Sequence, residues 1–313
     1  MPEWWEDEAA REEGGLLELQ MLLARRLNVS LASLQAAVPL PVFRETTQRF
    51  KTVHPDGSSQ LAVAASIGHG LAQMLANAVE HRPPVDSISA ASLRQDLLAT
   101  NSAVSLDSLC GWMWSHGLPV VHVTGWPDGL RRPDAMCVRV GQRPVTMVVR
   151  KEQAPARLAY LVAHELGHVM SGHLQAANNA VLVDEALPVD DQRTFSDDDE
   201  IEADAFAMTV LGGDLLLSTC RSLLGPRYSE LTLAVAALRA CRDKPLDAGQ
   251  VILGWGRLSE DWQLTNMALK YLMTTQSAPV VINDVAKAHI DASALSADGR
   301  DHLARLTAME LVS

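Results

Sequence analysis

The stretch AYLVAHELGHVMSGHL, Ala159–Leu174, holds three of the ten histidines of this 313-residue chain. They are His164, His168 and His173, and Glu165 follows the first of them. We interpret the stretch as a helix. It is either merely rich in histidine or one half of a metal site, and in the second case the other half must lie elsewhere in the chain.

The composition is that of a folded protein with more than one structural unit. A length of 313 residues exceeds what one core usually fills. The chain is 48% hydrophobic and 20% charged, and its scarce aromatic residues, 4%, together with abundant alanine and leucine, favour helix. The net charge of -12 works against tight binding to nucleic acid, whose affinity comes largely from neutralised phosphates.

The sequence offers no sign of export or of a membrane span. The N-terminal segment MPEWWEDEAAREEGG is acidic where a signal peptide is basic, and no apolar run reaches the roughly 18 residues of a spanning helix. Four cysteines occur without a CxxC pair, and we expect buried free thiols: Cys110, Cys137, Cys220 and Cys241. These features together predict a cytoplasmic protein.

The N-terminal region is predicted to be helical. Leu16–Leu27 has helical periodicity, Ser30 is a candidate N-cap for a short second helix, and Gln60–Val79 predicts a further helix. The phrase ARRLNVSLASL is similar to the middle of a helix-turn-helix. The first 80 residues carry 6 basic and 10 acidic side chains, a balance that favours a packing unit over a reader of DNA. DNA binding by this region remains the alternative.

The middle of the chain predicts a small sheet. HRPPVDS, His81–Ser87, breaks the helical pattern, and helix resumes within Ser92–Gly117. Three short β-type runs follow, separated by Gly, Pro and Asp turns: LPVVHVT (Leu118–Thr124), AMCVRV (Ala135–Val140) and VTMVVR (Val145–Arg150). After the quoted helix and an acidic connection, EIEADAFAMTVLGG predicts a second strong helix.

We therefore expect an α+β fold that is predominantly α, in three parts. Residues 1–86 form a helical region, residues 87–225 form a core of small sheet plus helices, and residues 226–313 form a second helical region. The core contains the quoted histidine stretch.

Two imidazoles in the quoted stretch can serve one ion. Residues four apart on a helix lie one turn above each other, so His164 and His168 point to the same place. Glu165 lies beside the first ligand and can take a proton from an attacking water without binding the ion. This is the HExxH arrangement, in which the glutamate acts as general base beside zinc.

A third ligand is required, and EIEAD (Glu200–Asp204) is the best candidate. Glu200 and Asp204 are four residues apart, on one face of the helix. Glu200 can therefore bind the ion while Asp204 hydrogen-bonds a ligating histidine at the ring nitrogen that does not bind the ion. Glu202 lies about 200° around the helix from Glu200, so both cannot face one ion. Ala203 allows the two helices to approach closely.

His173 is out of register for the alternative HExxHxxGxxH site. That pattern needs glycine at Ser171 and histidine at Leu174, whereas Gly172 and His173 are each displaced by one position. We interpret His173 as a structural residue or an outer partner of the site rather than as a metal ligand.

HELGH followed by ExxAD resembles the gluzincin zinc peptidases and, more narrowly, the ImmA/IrrE family. The resemblance rests on AHELGHVMSGH and EIEADAFAMTVL and covers roughly residues 92–225. It implies one zinc ion per chain with three ligands, His164, His168 and Glu200. It also implies Glu165 as catalytic base and Asp204 as a hydrogen-bond partner of His164 that does not itself bind the ion.

The resemblance also implies a regulatory protease. Family members typically cleave or inactivate helix-turn-helix repressors to switch on stress-response or mobile-element genes. Tyr160 and Tyr228 are candidate donors to the oxyanion, although each can equally be structural. An extended peptide is expected to add to an edge of the small sheet. The alternatives are a non-proteolytic metal-binding sensor or interaction module, and a DNA-binding regulator with a peptidase-like domain.

Overall fold

The computed structural model describes residues 4–12, 14–36, 42–44, 47–51, 58–79, 83–151, 154–174, 180–184, 198–272 and 276–311. Within these ranges the fold is α+β and predominantly α, as predicted. The helices are α1 (Gly15–Arg26), α2 (Leu31–Gln35), α3 (Ser58–Asn77), α4 (Ala90–Leu98), α5 (Leu106–Ser115), α6 (Pro155–Met170), α7 (Asp198–Leu211), α8 (Gly213–Ser222), α9 (Glu230–Cys241), α10 (Ala248–Ser259), α11 (Trp262–Lys270), α12 (Ala278–Lys287) and α13 (Ala297–Thr307). The strands are β1 (Thr47–Lys51), β2 (Val120–His122), β3 (Ala135–Val140), β4 (Arg143–Val148) and β5 (Ala180–Asp184).

The strands form one mixed sheet in the order β1-β5-β3-β4-β2. The central strand β3 is antiparallel to both of its neighbours, whereas the outer pairs β1–β5 and β2–β4 are parallel. Cys137, in the middle of β3, lies opposite Thr146 on β4 and opposite Leu182 on β5. The three side chains therefore share one face of the sheet.

Helices cover both faces of the sheet. On one face α3 approaches so closely that a Cβ atom on Gly68 would lie 2.3 Å from the sulfur of Met136. On the other face Cys137 donates a hydrogen bond from its thiol to the backbone carbonyl of Glu165 on α6, at 3.6 Å. Since neighbouring residues on a strand point to opposite faces, the sheet lies between α3 and α6.

Two hydrophobic clusters account for most of the buried core among the described residues. The larger joins α3, the sheet, α6, α12 and α13, and the smaller joins α8, α9, α10 and α11. Segments on both sides of residues 87–225 thus pack onto the sheet. Packing does not test whether residues 87–225 fold alone, so the predicted boundaries stay a prediction.

The three strands expected from the sequence are present, and two further strands join them. AMCVRV forms β3 with the predicted bounds, and β2 occupies the centre of its predicted run. β4 is displaced from its predicted run and both begins and ends two residues earlier. β1, in the N-terminal region, and β5, in the connection after α6, were not predicted from the sequence. Both are five-residue strands. Each is stabilised by hydrogen bonds to neighbouring strands of the sheet, which a local sequence pattern does not reveal.

The N-terminal helices α1 and α2 lie where the sequence predicts them. Ser30 takes the N-cap position of α2 with extended backbone, but its side chain makes no capping hydrogen bond. Asn28, between the helices, has a positive φ of 47°. Whether this pair binds DNA stays a prediction.

The cysteines are free, as predicted. Cys110, Cys137 and Cys220 are buried, and burial raises the pKa of Cys220 and of the half-buried Cys241 to about 11. In the described part of the chain, no single helix has the length and apolar composition to cross a membrane. Taken together, α7 and α8 have the required length and composition, but they are bent by 76° at the break between them.

Candidate metal centre

Helix α6 carries the histidines into the interior. Pro155 stands in its first turn, where the missing N–H removes no helical hydrogen bond. The helix packs against the sheet and against α5, α7 and α10, so its middle is enclosed. His164, Glu165 and His168 are accordingly at most 1% exposed.

Helix α7 brings the acidic residues to α6. Its first turn contains Asp198, Asp199 and Glu200, whose negative charges suit the positive end of a helix dipole. The predicted close approach occurs at Ala203, which faces Gly167 of α6. A Cβ atom on Gly167 would lie 2.9 Å from both the Cα and the carbonyl oxygen of Ala203.

The two helices bring three potential ligands together. His164 Nε2 lies 3.2 Å from Glu200 Oε2, and His168 Nε2 lies 3.2 Å from Glu200 Oε1. The two Nε2 atoms are 3.1 Å apart. Within the described residues this trio is the group of His, Cys, Asp and Glu side chains whose donor atoms can hold one metal ion.

The donor set fits a zinc ion. Two donors held at about 2.1 Å from zinc in tetrahedral geometry lie about 3.4 Å apart. The observed separations of 3.1 and 3.2 Å are close to that value. Two imidazoles and a carboxylate leave a fourth position, as in catalytic zinc sites, where water or substrate occupies it.

Glu165 follows His164 and is 0% exposed. Its backbone carbonyl accepts the hydrogen bond from Cys137, which ties this part of α6 to the centre of β3. Glu165 is thus held on a rigid helix, adjacent in sequence to His164, and its predicted role as general base stays a prediction.

His173 lies next to His168 but is not one of the three potential ligands. Its Nδ1 lies 2.8 Å from Nδ1 of His168, on the side of that ring away from Glu200. Its Nε2 lies 3.2 Å from Oε2 of Glu202. Glu202, which cannot face the same ion as Glu200, thus contacts His173 instead.

Asp204 and Tyr160 lie one turn beyond the ligands and contact each other. The Tyr160 hydroxyl donates a hydrogen bond to the Asp204 carboxylate. Tyr160 also lies beside His164, with ring centroids 6.1 Å apart. The predicted roles of Asp204 behind His164 and of Tyr160 at the oxyanion stay predictions.

Arg257 of α10 lies near both Tyr160 and Asp204, and it was not predicted from the sequence. Its guanidinium lies 4.4 Å from the ring centroid of Tyr160 and 4.0 Å from Asp204, and it donates to the sulfur of Met208 at 2.9 Å. No sequence motif contains Arg257, so only the fold could reveal it. Tyr228, the other nominee for the oxyanion, packs edge-on against Trp255 in the smaller core cluster, 6.1 Å between centroids.

Residues 99–238 match the Peptidase U49 family. The matched range contains α5 to α8, strands β2 to β5 and every residue of the metal cluster, and it ends within α9. The Peptidase U49 match therefore indicates a peptidase for this part of the chain. It stops short of α10 and Arg257. No curated protein matches the sequence significantly.

Proposed function

We propose that this protein is a zinc-dependent endopeptidase that cleaves or inactivates a helix-turn-helix transcriptional repressor. The convergence of His164, His168 and Glu200, with Glu165 adjacent to His164 in the sequence, carries the proposal. The Peptidase U49 match over residues 99–238 supports hydrolysis of peptide bonds. The repressor as substrate, and a role in stress response or mobile-element control, rest on the resemblance to the ImmA/IrrE family.

The roles of the side chains follow from their positions. His164, His168 and Glu200 would hold the ion. Zinc, when bound, acts as a Lewis acid that polarises a carbonyl and makes water more acidic. Glu165 takes the proton of the attacking water and delivers it to the nitrogen of the leaving amine.

The geometry of the sheet limits where an extended peptide can pair. At the β2 edge, the side-chain amide of Asn283 accepts from the N–H of His122 and donates to its carbonyl, at 2.8 and 2.9 Å. Those two backbone groups are therefore engaged. In the described part of the chain, β1 is the outermost strand on the other side, and substrate pairing is proposed there.

Substitution of the base tests the enzyme. Glu165→Gln keeps the size of the side chain but cannot take up the proton of the attacking water. Both forms should bind one zinc ion, whereas only cells with the wild type should contain new protein N-termini detectable by mass spectrometry. Glu18→Gln, an exposed substitution on α1, is the matched control and should cleave as the wild type does.

The identity of the cleaved proteins tests the substrate. The new N-termini should map to a repressor with a helix-turn-helix, and mapping to unrelated proteins would contradict that choice. Zinc-loaded wild type that yields no cleavage beyond that of Glu165→Gln would overturn the peptidase altogether.

One observation favours a second function, a metal-binding sensor without cleavage. His164, Glu165 and His168 are almost fully buried, and the Glu200 side chain is 18% exposed, so the cluster has little contact with solvent. A sensor predicts that Glu165→Gln leaves the biological output unchanged while Glu200→Ala abolishes it. A DNA-binding regulator predicts salt-sensitive binding of the full chain to duplex DNA.

A further inference from the structure

The chain turns back after the end of α6 and places His173 beside the three potential metal ligands. After Met170 the chain turns through Gly172, whose φ is +78°, a region that favours glycine. The N–H of His173 donates to the carbonyl of His168 at 3.0 Å, and the N–H of Gly172 donates to that of Val169 at 3.2 Å. These two bonds make a Schellman motif, which places His173 directly beside His168.

A hydrophobic contact usually accompanies this motif, but here two histidine rings meet. Their Nδ1 atoms are 2.8 Å apart, and the side chain of His173 is only 7% exposed. At that distance one nitrogen carries the proton and the other accepts it.

The potential ligands around His168 determine which of the two Nδ1 atoms donates. His168 faces His164 and Glu200 with Nε2, so that atom must offer its lone pair to an ion. The proton of the neutral ring is then on Nδ1 of His168, which donates to Nδ1 of His173. The proton of His173 is consequently on Nε2.

The second nitrogen of His173 meets acidic side chains of α7. Its Nε2 lies 3.2 Å from Glu202 Oε2 and 3.6 Å from Asp199 Oδ1. A protonated Nε2 is the donor that such a carboxylate requires. The Glu202 side chain is 62% exposed, so the chain of hydrogen bonds runs from the buried cluster to the protein surface.

We propose that His173 and Glu202 are positioning residues for the metal ligand His168. They form a hydrogen-bonded chain in which His168 donates to His173 and His173 donates to Glu202. Metal-bound histidines commonly donate directly to a carboxylate or carbonyl, which fixes the ring and raises its basicity. Here a second histidine is inserted between the ligand and the carboxylate. This inference rests on the proposed zinc site.

The chain also joins the same two helices as the cluster itself. Glu200 reaches the histidines of α6 from one side of α7, and Glu202, two positions later, reaches the end of α6 through His173. The orientation of His168 is therefore coupled to the pairing of α6 with α7.

Zinc affinity of the full-length protein, measured by competition with a chelator, tests the proposal. His173→Ala should weaken zinc binding about 10–100-fold, the usual effect of losing an outer partner of a ligand. His173→Asn should lose less, because the Asn carbonyl can still accept from His168. His289→Ala and Asp198→Ala, at exposed residues just after α12 and at the start of α7, are the matched controls and should bind zinc as the wild type does. Melting of the zinc-free variants checks that each is folded.

A double substitution separates the hydrogen-bonded chain from simple loss of charge. Glu202→Ala should weaken zinc binding in the wild-type background but add little to His173→Asn, which no longer connects the two. Equal effects in both backgrounds, or affinity of folded His173→Ala and His173→Asn equal to that of the controls, would overturn the positioning role.

The outcomes also separate this role from the proposed function. Wild type that binds zinc but cleaves nothing would remove the peptidase and leave the positioning role intact. Wild type that binds no zinc would overturn both.

Discussion

Two carboxylates on α7, two positions apart, face different neighbours. Glu200 directs one oxygen to each ligating histidine, whereas Glu202 contacts His173. Glu200→Ala should lower zinc affinity by more than the roughly 10–100-fold expected for outer partners, because it removes one of the three proposed ligands. Glu202→Ala should still bind one zinc ion per chain at saturation. Metal analysis after dialysis checks both, and equal zinc loss in the two variants would contradict the assignment.

The sequence predicted Glu200 rather than Glu202 as a ligand and gave an outer partner of the site as one interpretation of His173. It did not indicate which side chains His173 contacts. A rotation of about 200° between Glu200 and Glu202 shows only that both cannot face one ion. The pairing of Glu200 with Asp204, four residues later, is what favours Glu200. The position of His173 depends on the turn after α6. Gly172 was the available signal, since glycine just past a helix end favours the turn that places the next residue beside the last full turn.

His302 on α13 should make the stability depend on pH. Burial, together with the positive charges of Arg26 and Arg305, lowers the pKa of its imidazole to about 4, from 6.5. Between these values the unfolded chain takes up a proton that the folded chain does not. Stability is therefore full above pH 6.5 and falls as the pH drops to 4, by about 2 kcal/mol after allowing for partial contact with water.

The comparison with His302→Gln isolates this contribution. Urea unfolding of both proteins should give a difference in free energy that changes between about pH 7 and about pH 4 in the direction of a relatively less stable wild type at low pH. A difference that stays constant across this range would show that His302 is charged in the folded protein.

At the scale of elements, the pairing of α6 with α7 depends on Gly167. A Cβ atom there would lie 2.9 Å from the backbone of Ala203, too close for any side chain. Gly167→Ala should force the helices apart, lower the free energy of unfolding by about 1–3 kcal/mol and weaken zinc binding, because the ligands lie on both helices.

Gly111→Ala is the matched control for this prediction. Gly111 lies within α5, where a Cβ atom would meet nothing within 4 Å. The added methyl should stabilise the helix by about 0.5–1 kcal/mol. Thermal unfolding and zinc titration of both variants check the pair. Zinc affinity unchanged in Gly167→Ala would mean that the close approach does not hold the ligands together.

The elements that were predictable are those with a strong local pattern. AMCVRV is β-branched and apolar between turn residues, and it became β3 with the expected bounds. β5, AVLVD, has a comparable composition but follows a helix end in an acidic connection, and it acquires its partners, β3 and β1, from distant parts of the chain. Such pairing depends on contacts between distant segments, which the local sequence pattern does not reveal.

At the scale of the whole molecule, the C-terminal region contacts side chains next to the candidate metal site. α10 brings Arg257 onto Tyr160 and near Asp204, one turn from the ligands on each helix. α12 and α13 bury Ile282 and Leu303 in the core cluster of the sheet. The sequence indicated helices here but no role, because the contacts join residues about fifty to more than a hundred positions apart.

Asn283 is the residue through which α12 holds the sheet. Its amide accepts from the N–H of His122 and donates to the carbonyls of His122 and Thr307. Asn283→Ala leaves these buried groups without their partner. A cavity of about 540 Å³ adjoins the site, so water can replace part of what is lost. The free energy of unfolding should fall by about 2–3 kcal/mol rather than by the full sum of three bonds.

Asn283→Asp gives the sharper test of the same contact. An aspartate can still accept from His122, but its charged oxygens would face two backbone carbonyls and donate to neither. It should therefore be less stable than Asn283→Ala at about pH 7. Asn101→Ala, which removes hydrogen bonds from an exposed side chain, should cost less than about 0.5 kcal/mol. If urea unfolding showed Asn283→Asp to be more stable than Asn283→Ala, the two hydrogen bonds that the amide donates would not be what holds α12 against β2.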